Sequence, residues 1–345
     1  MDFGLTMPTH GLLMRDERDF YLQKLPAHEM RPVEVAQLAE RLGYHSVWGN
    51  DHITAPQYVR EHYPDPPNFY EPLIALAAAA GVTRRIRLAT ATIVLPLREP
   101  VYLAKQVATL DRFSGGRVIL GVGMGAYREE FERLFPRLRA ARRADMAEES
   151  LTILRRLFTE RPVTHEGRHY AFDGLDLAPM PVQRPLPIFV GGNHPAVVER
   201  AARHGQGWLP ASMSRETLVG GVARLREAAR EAGRDPATIA VAPQLICAIA
   251  PSHEAAVAKF RASWMYQHLR SLTASTLRDQ NLARLEEYNL VGSPDELIER
   301  IGRLREAGVT MLAAMNFVGN RVEEWLDDMQ HFAEAVLPAL GGRRG

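Results

Sequence analysis

Residues 85–125 read RIRLATATIVLPLREPVYLAKQVATLDRFSGGRVILGVGMG, and this stretch decides the fold. Two apolar, β-branched runs, Ile86 to Val94 and Val118 to Val122, flank a segment in which Val101, Leu103, Ala104, Val107, Ala108 and Leu110 recur at helical spacing. Pro100 stands where a missing N–H costs nothing, and Ser114-Gly115-Gly116 supplies the stop. The pattern is strand, helix, strand. Strands that carry uninterrupted apolar residues are covered on both faces, which means a parallel sheet under a helical layer.

The same alternation recurs on either side. Towards the N-terminus, Phe3 to Met7 and His45 to Trp48 are short candidate strands, with a helix from Pro32 to Leu42 between them and another over Glu71 to Ala80. Towards the C-terminus, Leu186 to Val190, Trp208-Leu209, Ile239 to Ile249 and Thr310 to Phe317 follow as strands. Helices are expected over Asp145 to Phe158, from after Gly191-Gly192-Asn193 to about His204, over Arg215 to Ala232, from Ser293 to near Gly308 and over Val322 to Leu337. Residues 159–185 have the Pro, Gly and aromatic pattern of a β-hairpin insertion, and 253–290 that of a polar helical insertion without a strand beside the barrel mouth. Eight strands alternating with helices, and no solenoid-type repeat, favour an α/β architecture closed as a (β/α)8 TIM barrel, one domain over 1–345, above an open doubly wound sheet.

Composition narrows the function. A formal net charge of +1 provides no field to gather nucleic acid or an acidic membrane, and Lys24, Lys105 and Lys259 are the only lysines. Cys247 is the sole cysteine, which excludes an intramolecular disulfide and a Cys-based zinc site and makes the reducing cytoplasm the default compartment. MDFGLTMP enters a strand directly with no visible secretion signal, and Leu73 to Val82 is too short an apolar run to cross a bilayer.

Working residues of such barrels sit at the C-terminal ends of strands. Asp51 and His52 lie just past the second strand, and histidine titrates near neutrality, as proton transfer needs. A loop-stabilising hydrogen-bonded pair is the competing account. Residues 53–70 form a long loop with Tyr58, His62, Tyr63, Phe69 and Tyr70 among prolines, either a functional lid or a locally packed surface. Gly121 to Ala126 matches the loose dinucleotide pattern G-x-G-x-x-A, but no strand with an acidic end follows, so a Rossmann site is rejected. Gly191-Gly192-Asn193 joins a strand to a helix N-terminus, suited either to a phosphate or to a plain turn capped by Asn193. Tyr127, Trp208, Gln244 and Asn316 could line a substrate or simply pack. No His-x-His follows the first strand and no compact ligand set exists, so no metal site is expected.

The runs TATIVLPLREPVYLAKQVATLDRFSGGRVILGVGMG, PMPVQRPLPIFVGGN and LVGSPDELIERIGRLREAGV resemble the luciferase-like monooxygenase family, flavin or deazaflavin enzymes on a (β/α)8 barrel. By that resemblance His52 lines the flavin pocket as base or acid with Asp51 beside it, and Ala91-Thr92 carries a non-prolyl cis peptide beneath the isoalloxazine. Gly123, Met124 and Tyr127 flank the cofactor, the glycines letting backbone approach a flat ring, and Gly191, Gly192 and Asn193 cradle its phosphate. Arg143, with Arg142 as the alternative register, matches an arginine that reaches the phosphate. Met124 stands where the bacterial luciferases carry an arginine, so that contact does not carry over. The resemblance implies reduced FMN and O2 oxygenating a small organic substrate, with a separate flavin reductase as partner and a homo-oligomeric state. Its alternatives are hydride transfer with the deazaflavin coenzyme F420 and a non-catalytic flavin-binding protein.

Overall fold

The computed structural model describes residues 1–9, 30–62, 68–272, 276–277, 280–319 and 321–341, without the side chains of Tyr58 and His62. The polar loop 10–29 and Tyr63, with those two side chains, lie outside the described residues.

The first half comprises β1 (Asp2–Thr6), α1 (Pro32–Arg41), β2 (Ser46–Gly49), α2 (Gln57–His62), α3 (Pro72–Val82), β3 (Arg87–Thr90), β4 (Ile93–Val94), α4 (Pro100–Ser114), β5 (Val118–Gly123), α5 (Arg128–Leu134) and α6 (Arg143–Leu157). An antiparallel hairpin, β6 (Val163–Glu166) and β7 (Ala171–Leu175), stands apart where the insertion was expected. Then come β8 (Ile188–Gly191), α7 (Pro195–His204), β9 (Gly207–Leu209), α8 (Arg215–Glu231), β10 (Ala240–Val241) and β11 (Gln244–Ile249). The chain continues through α9 (His253–Ala262), α10 (Trp264–Ser271), β12 (Leu290–Gly292), α11 (Pro294–Glu306), β13 (Met311–Phe317) and α12 (Val322–Ala335).

The main sheet is parallel, in the order β10-β9-β8-β5-β3-β2-β1-β13-β11-β12, with β4 on β5. Its β10 end meets β11 through Ala242-Pro243. There Ala242 N–H donates to Trp208 O (2.9 Å), Thr310 N–H to Val241 O (3.0 Å) and Ala313 N–H to Pro243 O (3.0 Å), which closes the seam of the barrel. Pro243 has no N–H to give the ladder, so the strand expected over 239–249 is split in two. The upper half of β11 pairs with β12, a strand at the end of the insertion that the sequence pattern did not reveal.

Strand alternation sorts the apolar side chains into two cores. Leu88, Leu120 and Val190 join the layer between strands and helices. Ala89, Ile119 and Phe189, one residue away, face the lumen with Trp48, Ala91, Leu209, Ala242 and Ala313. Half of these lumen residues are alanines. The large exceptions, Trp48 and Phe189, contact each other with ring centroids 6.1 Å apart.

Glycines set how close the strand ends come. A Cβ on Gly121 would lie 1.8 Å from Thr90 O, one on Gly123 2.6 Å from Thr92 Oγ1, and one on Gly191 2.7 Å from Thr92 Cγ2. The run expected as one strand over 86–94 therefore breaks into β3 and β4, with the Ala91-Thr92 peptide seated against side-chain-free backbone. On the far side β13 carries a bulge, shifting register against both β1 and β11, and Ala314 there has φ 46°.

Helix ends follow the sequence signals. Glu99 caps α4 by accepting from Val101 and Tyr102 N–H, and Gly115 ends it at φ 69°. Ser293 and Glu296 form a reciprocal capping box on α11. Asp111, fully buried on α4, accepts from Val182 N–H (2.7 Å) and Gln183 N–H (3.0 Å), pinning the return from the hairpin to the barrel. No helix among the described residues is long and apolar enough to cross a membrane.

The glycine contacts predict opposite signs for one substitution. Gly121→Ala costs about 3 kcal/mol or more, because the obstacle is backbone. Gly220→Ala, on the exposed face of α8 with open space around it, gains about 0.5–1 kcal/mol. Urea unfolding of the two variants measures both.

Candidate active site

The C-terminal ends of β2, β3 and β5 bring the expected residues onto one rim, but their pairings differ from the sequence expectation. His52 is bound by Glu130 of α5, whose buried carboxylate places Oε2 3.1 Å from His52 Nδ1. Its Oε1 accepts from Ile53 N–H (3.1 Å) and Thr54 N–H (3.3 Å), so a single side chain orients the imidazole and ties down the start of the loop after β2. The loop is not wholly irregular, since α2 forms within it. His52 is 12% exposed and packs edge-on to Phe69 at 5.2 Å and tilted against Tyr127 at 5.9 Å.

Asp51 does other work. Its carboxylate accepts from Val94 N–H (3.0 Å) and Arg98 Nε (3.3 Å) and forms an ion pair with the same guanidinium. Arg98 also holds Glu71 at 2.9 Å, and Glu71 caps α3. Asp51, expected as a catalytic residue beside His52, is instead paired with the half-buried Arg98 guanidinium and the Val94 amide, joining β2 to the turn after β3, and Glu130 takes the place beside the imidazole.

The Ala91-Thr92 peptide is cis, as the resemblance implied. Gly123 and Gly191 accommodate the Thr92 side chain and Gly121 the Thr90 carbonyl. Past β5, the carbonyls of Met124 (3.1 Å) and Gly125 (2.9 Å) accept from Arg143 Nη1. Arg143 forms no ion pair among the described residues, and burial, then the charge of Arg128, lowers its pKa. Arg142 is 77% exposed and turned towards Asp145, so Arg143 is the arginine of the rim.

The turn after β8 is held at every position. Gly192, at φ 132°, donates its N–H to Leu209 O (3.1 Å) and accepts from Trp208 Nε1 (2.9 Å). Asn193 is not the helix cap. Its Oδ1 accepts from Ala211 N–H (2.8 Å), its Nδ2 donates to Thr276 O (3.2 Å), and the cap of α7 is His194, whose Nδ1 accepts from Ala196 N–H (3.2 Å). Trp208 is a fully buried packing residue, and Gln244 reaches Leu209 O only at 3.5 Å. Asn316 lies between Met315 and Phe317, which pack outward, and its Oδ1 is buried without a hydrogen-bond partner.

The insertion helix α10 completes the wall. Tyr127 Oη lies 3.1 Å from Ser271 Oγ and 3.4 Å from His268 Nδ1. Burial, and then the charge of His52, pushes the His268 pKa down to about 4. Glu130, Arg98 and His268 were invisible to sequence reasoning. Glu130 stands in REEFERL among Glu129 and Glu132, and no spacing marks which of them turns inward.

The sequence model of the luciferase-like monooxygenase family matches residues 1–311. The chain belongs to this family. Among curated relatives of this luciferase-like enzyme, the oxygenase component of flavin-dependent trigonelline monooxygenase from Acinetobacter baylyi is 31% identical over 174 residues, 50% of this chain and 46% of that one. The F420-dependent glucose-6-phosphate dehydrogenase of Microbacterium testaceum is 27% identical over 323 residues, 89% and 92% of the two chains. Among solved structures, monooxygenase RslO1 from Streptomyces bottropensis superposes with a TM-score of 0.79 at 29% identity, covering 99% of this chain and 100% of that one. The chain is an oxidoreductase of this family, with both flavin- and F420-dependent relatives.

His268 sets a pH dependence. Its folded pKa of about 4 lies below the ordinary histidine value of 6.5, so the unfolded chain binds the extra proton first as pH falls. Its contribution to stability is complete above about pH 6.5 and is lost progressively towards pH 4. His268→Gln flattens that part of the profile, read as the urea midpoint across the interval.

Proposed function

We propose that this chain is a flavin monooxygenase that uses reduced FMN, delivered by a separate reductase, and O2 to oxygenate a small organic substrate at the barrel mouth. One observation carries the proposal: an imidazole oriented by a buried carboxylate shares the rim with a guanidinium that forms no ion pair among the described residues. The likeness to a monooxygenase along the whole chain supports it.

The residues present fit the cofactor. Among the described residues Arg143 uses only Nη1, on backbone carbonyls, so its Nε–Nη2 edge is the bidentate surface that a phosphate takes. The turn Gly191, Gly192 and Asn193 lies at the C-terminal end of β8, next to the ends of β3 and β5 that carry Ala91-Thr92, Gly123, Met124 and Tyr127. Reduced flavin, when bound, supplies the electrons that activate dioxygen. His52 holds and moves the proton: Nδ1–H directed at Glu130 puts the lone pair on Nε2, and Phe69 and Tyr127 shield the ring from water.

The long match to an F420-dependent dehydrogenase favours a second reading, in which the same Nε2 serves a proton on a substrate oxygen during hydride transfer with F420. Parallel fluorescence titration with FMN and F420 separates the two by which coenzyme binds more tightly. Binding of either without turnover of any candidate substrate would select a non-catalytic flavin-binding protein. His52→Ala leaves cofactor affinity largely intact and lowers turnover by about a hundredfold or more; an unchanged rate removes His52 from the mechanism.

A homo-oligomer and a cytoplasmic location belong to the same proposal. The single thiol, Cys247, is buried and unpaired, in keeping with a reducing compartment. Helix α3 contains no charged residue and exposes Ile74, Ala77, Ala78, Gly81 and Val82, while α4, packed beside it, exposes Tyr102 and Phe113. Such a face suits a second copy of the chain. Ile74→Asp shifts the species seen by light scattering towards monomer with the fold retained; an unchanged mass excludes this face.

A further inference from the structure

At the N-terminal end of β8, opposite the mouth, a cavity of about 410 Å3 opens between the last turns of α6 and α7. Arg155, Arg156, Glu160, His204, Gln206 and Arg234 are among its charged and polar lining residues. Its acidic neighbours are already engaged. Glu148 binds Arg200 at 2.6 Å, Arg203 at 3.2 Å and His204 Nε2 at 2.7 Å, and Glu160 binds Arg156 at 2.9 Å.

Two guanidiniums remain without a carboxylate among the described residues. Arg155 uses only Nη1, on Arg203 O (3.3 Å) and His204 Nδ1 (3.3 Å), and Arg234 uses only Nη1, on Ala202 O (2.5 Å). Both are therefore fixed by carbonyls in the last turn of α7, and each keeps its Nε–Nη2 edge unbonded. That edge matches two oxygens of a phosphate or carboxylate. Capping a helix C-terminus needs one N–H from each side chain, and these two residues present a second, unused pair. Burial and the charge of Arg155 both lower the Arg234 pKa, so the two cations disfavour one another until an anion lies between them. Gln206 adds a donor: its Oε1 accepts from Ile188 N–H (3.0 Å), which leaves its NH2 for the cavity.

We propose that this cavity binds a small phosphate-type dianion, free or as the terminal phosphate of a small metabolite, between Arg155 and Arg234. The site is separate from the flavin rim, since it sits at the opposite ends of the strands. Its volume holds a phosphate with a few attached carbons and is too small for a polymer.

Calorimetry on protein saturated with the flavin it binds keeps the mouth closed to added anion. Inorganic phosphate and glycerol 3-phosphate are titrated at ionic strength held constant with sodium chloride. One anion per chain is expected, with a rise in Tm, and Arg155→Gln and Arg234→Gln each weaken the Kd at least about tenfold while flavin affinity stays unchanged. Tighter binding of glycerol 3-phosphate assigns the site to a metabolite, and tighter binding of phosphate assigns it to the free ion. No heat with either, or binding that both variants leave intact, overturns the proposal. Arg155 is exposed, so its variant tests the idea without risk to the fold.

Discussion

Backbone contact at the top of the barrel governs the rest of the structure. Gly121, Gly123 and Gly191 have no side chains at points where Thr90 and Thr92 come within a Cβ's reach, and this lets the end of β3 turn into the barrel wall. Val94 N–H is thereby presented to Asp51, and Arg98 to both Asp51 and Glu71. The rim that carries His52 is built on that network. A methyl group on β5 would push apart strands whose other neighbours are already packed, and cores of this density transmit such displacements instead of absorbing them.

The charged groups divide into two classes. Asp51 with Arg98, Asp111 with the 182–183 backbone, and Glu148 with Arg200 and His204 are saturated pairs that join one element to the next. Arg143 at the mouth, and Arg155 and Arg234 at the far end, are anchored by carbonyls and, among the described residues, keep an unbonded edge. A positioned cation without a counter-ion contributes little to folding and much to anion recognition, because its orientation is settled before the ligand arrives. The same criterion that singles out Arg143 at the barrel mouth therefore singles out the second cavity.

Much of the architecture was legible before the structure. The strand-helix-strand unit at 85–125, the hairpin within 159–185, the helix starts at Pro100 and Ser293, and the closed barrel follow from periodicity and capping residues, which act within a few positions of chain. The breaks within strands were not legible. Ala91-Thr92 and Ala242-Pro243 interrupt apolar runs that look continuous, because the cause lies in the neighbouring strand for the first and in the seam of the barrel for the second. Strand β12 escaped notice because three residues carry no period.

For the site, the sequence by itself, through its family resemblance, pointed to the family and to His52, to Arg143 or Arg142, and to the 191–193 turn as candidates. Tertiary structure alone decided the pairings: Glu130 on His52, Asp51 on Arg98, His194 as the cap of α7, and His268 behind Tyr127. The reason is distance along the chain. Glu130 and His52 are 78 positions apart and Tyr127 and His268 are 141 apart, so no local rule of spacing can join them. Only closure of the barrel brings those side chains within reach of one another.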